Sequence, residues 1–208
     1  MLLVAAGCTN GARSETSATD GSAQQRRSTA TSQDPHDAGS STDGARWATE
    51  ACETLLDVQD VLATASEDEQ TGNPHPILVE LADSLDVLGA RLSTLAAQAP
   101  SSALEATFSQ LAERADTAAA SYAAVSERTT PADFESEDAD DAYGEVANST
   151  EPAAFLLVRD LYDFVVYAPE YAELSRLEVE ARTDGQDQRD PSEPRCAVLT
   201  RRMVITHE

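Results

Sequence analysis

Apolar residues recur at alternating steps of three and four along three long stretches of the chain. The three sets are Trp47, Ala51, Leu55, Val58, Leu62 and Ala65; Leu78, Leu81, Leu85, Leu88, Leu92 and Leu95; and Leu104, Phe108, Leu111, Ala115, Ala118, Tyr122 and Val125. This spacing keeps one apolar stripe of a helix facing its neighbours. The pattern therefore predicts three amphipathic helices whose stripes form a shared core.

Prolines and polar residues separate these stretches. Two prolines within residues 73–76 precede the second stretch, Pro100 follows it, and Pro131 follows the third. Ser102 and Glu105 have the spacing of a capping box, which predicts the start of the third helix. Because the connection around Pro100 is very short, the second and third helices are predicted to be antiparallel neighbours.

A fourth helix is predicted from about Ser149, with Pro152 in an early position. Its apolar residues lie on most sides, which indicates a deeply buried element; they are Phe155, Leu156, Val158, Leu161, Tyr162, Val165 and Val166. Pro169 should kink or end this helix, and the pattern continues to about Arg182. The predicted fold is an all-α, up-and-down bundle of four main helices over residues 45–199, followed by a tail over residues 200–208.

An acidic stretch precedes the fourth helix. Residues 133–151 contain eight carboxylates and no basic residue. A short fifth helix is conceivable there, docked by Phe134, Tyr143 and Val146. An EF-hand loop starting at Asp133 would need Gly and Glu where this chain has Asp138 and Gly144. We therefore interpret the stretch as solvated and leave cation binding open.

The overall charge restricts the kinds of partner. All 14 basic residues are Arg, and 38 acidic residues give a formal net charge of −24. Such a charge repels both nucleic acid phosphates and anionic lipid headgroups. We expect no nucleic acid partner.

The amino terminus carries the most specific motif of the sequence. The segment Val4-Ala5-Ala6-Gly7-Cys8 resembles the lipobox of prokaryotic membrane lipoproteins, in which apolar and small residues precede a lipid-modified Cys. The resemblance implies a diacylglyceryl group on the sulfur of Cys8, cleavage before it, and a location on the outer face of the cytoplasmic membrane. Residues 1–7 are then a residual signal peptide. A working signal needs a basic region and about 7–15 apolar residues, so we expect Met1 to be an internal or misassigned start.

The segment after Cys8 suits a tether. Residues 9–44 are rich in Ser, Thr, Gly, Gln and Asp, with Ala as their only aliphatic residue. Such a segment buries too little apolar surface to offset its ordering entropy. Residues 8–44 are therefore predicted to be the lipidated Cys and a disordered tether.

The two remaining cysteines are predicted to form a disulfide. Cys52 lies beside the first apolar stripe, and Cys196 follows the last long helix. Paired cysteines in an exported domain are typical of a disulfide, because exported proteins fold in an oxidising compartment. The alternative is two separate buried thiols.

Residues that usually carry catalysis or bind metals are scarce. The chain has three His, namely His36, His75 and His207, and lacks the Glu-x-x-His, His-Glu-x-x-His and Cys-x-x-Cys motifs. These absences argue against di-iron, zinc and haem sites and against a Ser nucleophile activated by His. We expect no cofactor, no metal and no enzymatic activity.

The sequence leaves two functional interpretations. The first is a non-catalytic envelope lipoprotein that binds another envelope protein or maintains the cell surface. The alternative is a lipoprotein that holds a small apolar or cationic ligand between its helices, near Tyr162, Phe164, Tyr167 and Tyr171. A cavity lined by these rings and by carboxylates would favour the ligand; a filled core with an exposed apolar patch would favour a protein partner.

Overall fold

Six α-helices and one 3₁₀-helix make up the part of the chain that the structure, a computed structural model, describes: residues 37–67, 73–136, 139–184 and 193–205. The α-helices are α1 (Asp37–Glu67), α2 (His75–Ala97), α3 (Ser102–Arg128), α4 (Ala139–Tyr167), α5 (Pro169–Asp184) and α6 (Arg195–Ile205), and the 3₁₀-helix is Pro131–Phe134. No strand occurs in these ranges. The predicted all-α bundle is confirmed.

The apolar stripes of the sequence form the core. The leucines of the second stripe are all buried, as are the apolar residues of the third. Helices α2 and α3 make the most extensive pairing of the bundle, and α1 packs against α2, α5 and α6. The Trp47 indole N–H donates a 2.9 Å hydrogen bond to the Leu95 carbonyl, which fixes α1 against the end of α2.

A chain of aromatic rings connects four helices through the core. Trp47 of α1 lies 5.3 Å from Phe108 of α3, and Phe108 lies 6.0 Å from Phe164 of α4, measured between ring centroids. Phe164 in turn lies 5.4 Å from Tyr171 of α5. All three contacts are edge-to-face, an arrangement that places the positive edge of one ring against the negative face of another. The core is therefore filled where these four helices meet.

Three predicted helix starts are wrong. Helix α1 begins at Asp37, inside the predicted tether, because backbone hydrogen bonds carry a helix beyond its buried face. Helix α3 is capped by Ser101, whose side chain accepts from the Leu104 N–H, rather than by Ser102. Helix α4 begins at Ala139 and contains Pro152 in its interior.

Packing explains the early start of α4. Tyr143 lies 5.3 Å from Phe134 of the 3₁₀-helix, in an edge-to-face contact that fixes the first turns of α4. Asp140 and Asp141 lie in the first turn, where carboxylates are favourable next to the positive end of the helix dipole. The acidic stretch is therefore largely helical, and its apolar residues dock as the sequence analysis considered.

The carboxyl-terminal part of the bundle contains more helix than predicted. Pro169 begins the separate helix α5 instead of continuing α4, since a proline is well tolerated in a first turn. Helix α6 runs to Ile205, through most of the segment that was predicted to be a tail. Its buried residues Cys196, Leu199 and Met203 supply an apolar face that is too short to recognise from periodicity.

Several predictions fall outside the described residues. These are the signal peptide, Cys8, the tether up to residue 36 and the last three residues of the tail. Among the helices that the structure does describe, none combines the length and apolar character that a membrane span requires.

Candidate functional site

The predicted disulfide joins the first and the last helix of the bundle. Cys52 of α1 and Cys196 of α6 form a disulfide with their Cα atoms 5.1 Å apart. Both residues are almost completely buried. The pairing that the sequence predicted is therefore present, and the alternative of two separate thiols is not.

A buried carboxylate lies beside the disulfide. Glu178 of α5 is fully buried, and its two oxygens accept hydrogen bonds from the backbone N–H groups of Arg195, at 2.5 Å, and Cys196, at 2.9 Å. The first N–H groups of a helix have no partner within the helix, and the helix dipole favours a negative charge there. The Arg182 guanidinium lies 3.5 Å from the same carboxylate. Glu178 is thus the cap of α6.

Sequence reasoning missed this cap. Glu178 lies on an acidic helix with no distinctive local pattern, 17 and 18 residues before the two N–H groups that it binds. The two cysteine sulfurs and a Glu178 oxygen lie within 4.8 Å of one another, a spacing that would suit a metal ion. The sulfurs are joined in a disulfide, whereas metal binding needs free thiolates. In its oxidised form the cluster therefore has a structural role and connects α1, α5 and α6.

Tyr171 completes the connection between α5 and α6. Its hydroxyl donates a 2.6 Å hydrogen bond to the carbonyl of Cys196 and lies 3.2 Å from the Thr200 hydroxyl. Burial, together with the nearby Glu178 carboxylate, raises the pKa of Tyr171 to about 12. The phenol therefore stays protonated and acts as a donor within the bundle.

A second polar cluster connects α3 and α4. The Asp160 carboxylate, whose side chain is 6 % exposed, accepts hydrogen bonds of 2.8 Å from each of Gln110, Arg114 and Arg159. Burial by itself would raise the pKa of Asp160, but the bonds from Arg114, Arg159 and Gln110 outweigh it and hold the pKa below its ordinary value of 3.8. The carboxylate is thus charged and fully occupied by its own neighbours.

Replacing Asp160 by Asn should lower the free energy of unfolding by about 1–3 kcal/mol at neutral pH, the usual range for hydrogen bonds to a charged group. Since the folded pKa is depressed, this contribution is present above the unfolded pKa and is lost as the pH falls through the folded value. Denaturant titrations of both chains from neutral to acidic pH should show the difference shrinking below about pH 4. Asp163→Asn, three residues along α4 and exposed, is the control; equal unfolding of the two variants would contradict this role.

The aromatic residues that the sequence grouped together divide into two environments. Phe164 and Tyr171 are buried in the core, 3 % and 6 % exposed, whereas Tyr167 is 71 % exposed. Phe164 also borders a surface cleft of about 210 Å³ that contains Asp160 and Asp163. Asp160 is already paired there, so the exposed Asp163 is the carboxylate of this cleft that a cationic ligand would meet.

The outer side of α4 presents large apolar residues to solvent. Phe155 is 64 % exposed and Val158 is 36 % exposed, and Tyr162 follows them on the same side of the helix. The rings of Tyr162 and Tyr167 are in edge-to-face contact at 5.8 Å. A side-chain hydrogen bond with Tyr167 is the main cause that raises the pKa of Tyr162. We call Phe155, Val158, Tyr162 and Tyr167 the α4 aromatic face. Exposed apolar residues grouped in this way are typical of protein interaction sites.

A wider cleft lies at the end of the bundle next to Trp47. It measures about 570 Å³ and is lined by the polar side chains of Asp43, Arg46, Glu50 and Gln98. Its floor is closed by the Trp47 ring, which is 5 % exposed. No nucleophile paired with a base is found among the residues that line it.

The described part of the acidic stretch uses its carboxylates locally. Asp133 accepts hydrogen bonds from the Thr130 N–H and hydroxyl, at 2.6 and 2.9 Å, and Glu145 pairs with Arg128 at 2.7 Å. Over the described ranges, no three metal-ligating side chains of this stretch lie close enough together to share an ion. Glu137 and Asp138 lie outside the described residues.

His75 has a structural role. Its ring Nε2 lies 3.1 Å from the Ser126 carbonyl, and its backbone N–H donates to the Asn73 side chain at 3.1 Å. These contacts hold the start of α2 against the end of α3. Of the three histidines, it alone lies within the described residues.

Comparisons with known proteins add no relative. No protein-family model, no curated protein and no solved structure matches this chain.

Proposed function

We propose that this protein is a lipid-anchored component of a prokaryotic cell envelope, whose helical bundle binds another envelope protein through the α4 aromatic face. The observation that carries the proposal is the exposure of Phe155 and Tyr167 on a bundle whose core is otherwise filled. Large aromatic side chains are costly to leave in water, and they are enriched among the residues that dominate protein interfaces.

The anchor rests on the amino-terminal motif. Val4-Ala5-Ala6-Gly7-Cys8 supplies the resemblance to a lipobox, and a long polar segment separates it from the helices. The Cys52–Cys196 disulfide supports export, because structural disulfides persist in oxidising compartments. The lipid on Cys8 holds the bundle at the outer face of the cytoplasmic membrane, and the polar segment lets it reach a partner.

Partner binding is preferred to ligand binding for a physical reason. The rings of Phe164 and Tyr171 pack against other rings, and the cleft beside Phe164 contains a carboxylate that is already neutralised. The rings of Tyr162 and Tyr167, in contrast, lie at the rim with Phe155. A ligand pocket would bury its aromatic residues around an enclosed space. In this chain the aromatic residues that are not packed in the core, Phe155 and Tyr167, lie on the outer side of α4.

The double variant Phe155→Ser, Tyr167→Ser should lose its partner. Removal of central interface aromatics costs at least about 2 kcal/mol each, which corresponds to a loss of roughly 30-fold or more in affinity. The measurement is quantitative capture from detergent-solubilised envelopes, with the wild-type chain as bait in parallel. One protein species should be retained by the wild type and lost with the double variant.

The matched control is Val179→Ser on α5, which also removes an exposed apolar side chain, 46 % exposed. It should capture the same species as the wild type. Equal capture by the double variant and the wild type would rule out the α4 aromatic face as the interface. Thermal unfolding of each bait checks that the variants are folded.

A further inference from the structure

A groove runs along the outside of the bundle between α1 and α2. One cleft of about 460 Å³ and a smaller one of about 70 Å³ share Val61 and Ser84, so they form one continuous depression. Its floor is apolar and is supplied by Val61, Ile77, Leu81 and Leu88. We call this depression the α1–α2 groove.

The groove has the length of a helix segment rather than of a small molecule. From Ile77 to Leu88 the α2 backbone rises about 16 Å, or three helical turns. Val87 stands at one border of the groove with 58 % of its surface exposed. A third helix can lie in the furrow between two others and bury such residues, as amphipathic helices do in apolar grooves.

Carboxylates border the apolar floor on both sides. Asp57 and Asp60 border it on α1, and Glu80 and Asp83 border it on α2. Asp57 is paired with Arg91 at 2.7 Å, and Asp60 is paired with Arg202 of α6.

The two carboxylates on α2 are uncompensated. Within the ranges that the structure describes, Glu80 and Asp83 make neither an ion pair nor a side-chain hydrogen bond. The groove therefore combines an apolar floor with unbalanced negative charge on its α2 side. A partner surface complementary to this groove has an apolar stripe flanked by positively charged side chains.

We propose that the α1–α2 groove binds an amphipathic helix of a partner protein, with an apolar stripe on the Val61–Leu88 floor and Arg or Lys side chains paired with Glu80 and Asp83. This surface involves α1 and α2 and none of the residues of the α4 aromatic face. The inference therefore stands independently of the function proposed above and of the lipid anchor.

The test uses the whole purified chain with its disulfide intact. The probe is a fluorescently labelled synthetic helix of about four turns, with Leu along one face and Arg on both flanks. Fluorescence anisotropy should show saturable binding that weakens as salt is added, because exposed ion pairs are screened. A probe of the same length with Glu in place of Arg should not bind.

The variant pair Glu80→Gln, Asp83→Asn should weaken binding about fivefold, since exposed charge pairs contribute modestly. Val87→Asp should weaken it by about tenfold, because it places a charge at the apolar border. The control is Glu151→Gln, Asp163→Asn on α4, which removes the same net charge elsewhere and should leave the affinity unchanged. Phe155→Ser should also leave it unchanged.

Three results would overturn the inference. Equal weakening by the α2 and α4 charge variants would mean that the acidic chain attracts any basic peptide. The absence of saturable binding would mean that the groove does not accept a helix of this kind. Self-association that Val87→Asp abolishes, seen by analytical ultracentrifugation, would assign the groove to a second copy of the chain.

Discussion

Replacing Cys52 and Cys196 together by Ala should lower the free energy of unfolding by up to about 5 kcal/mol, as expected for cross-linking a long loop. The disulfide joins residues that are 144 positions apart, and it holds α6 to α1. Removing it gives the unfolded chain more freedom and leaves α6 held by its short apolar face and by the hydrogen bonds of Glu178 and Tyr171. Denaturant unfolding followed by circular dichroism measures the difference.

Reduction of the wild-type chain is the matched control for this experiment. Reduction breaks the same bond without altering the volume of the two side chains. Any further decrease in the free energy of unfolding of the Ala variant therefore comes from the cavity that the removed sulfur atoms leave. Both samples should unfold at clearly lower denaturant than the oxidised chain. An unchanged midpoint after verified reduction would show that the bond contributes nothing to the stability of the bundle.

Replacing Glu178 by Leu should lower the free energy of unfolding by about 3–5 kcal/mol, the cost of removing one partner from a buried, charged contact. The Arg195 and Cys196 N–H groups would lose their acceptor, and the Arg182 guanidinium would lose the Glu178 carboxylate that lies 3.5 Å away. Glu178→Gln keeps one acceptor oxygen and should cost less. Thermal and denaturant unfolding of the oxidised chain measure both.

Glu180→Leu is the matched control on the same helix. Glu180 is exposed and pairs with Arg176 four residues earlier. Surface pairs of this kind contribute about 0.5 kcal/mol. If the substitutions at Glu178 and Glu180 had equal effects on unfolding, the burial of the Glu178 cap would not matter for stability.

The helices with long apolar stripes were predictable because their pattern has a physical cause. Leu78 through Leu95 alternate in steps of three and four, and the structure buries every one of these leucines. Pro100 and Pro131 mark the connections after α2 and α3, because proline lacks an N–H and is disfavoured inside a helix. Cys52 and Cys196 could be paired because they are the two cysteines of the predicted domain, and the lipobox-like motif led us to expect an oxidising compartment.

The starts and ends of helices were less predictable because polar segments lack the apolar periodicity that indicates a helix. The first turns of α1 precede the first apolar residue of its stripe, Trp47, and the start of α4 depends on the contact between Tyr143 and Phe134. Helix α6 is short and carries only three buried apolar or sulfur-bearing residues in the described part of the chain. The start of α4 and the position of α6 are therefore set by tertiary packing, which local periodicity does not reveal.

The buried polar contacts could not be predicted from local patterns at all. Glu178 lies among other acidic residues of α5, and only the fold brings it to the first N–H groups of α6. Asp160 gains two of its three partners from α3, about 50 residues earlier in the chain. Phe155, Val158 and Tyr162 were likewise predicted to lie in a deeply buried helix, because periodicity cannot tell which apolar side of a helix stays unpaired.

The measurement that tests the account most directly is the chemical state of Cys8 in cells. The gene should be expressed with its own upstream codons in a prokaryotic host, as wild type and as Cys8→Ala. The account predicts that the wild-type protein partitions with membranes, that its first residue is Cys8, and that its mass includes a diacylglyceryl group. Cys8→Ala should be released into the soluble fraction. An unmodified Cys8 in the wild-type protein, or equal recovery of both proteins in the soluble fraction, would contradict the lipid anchor.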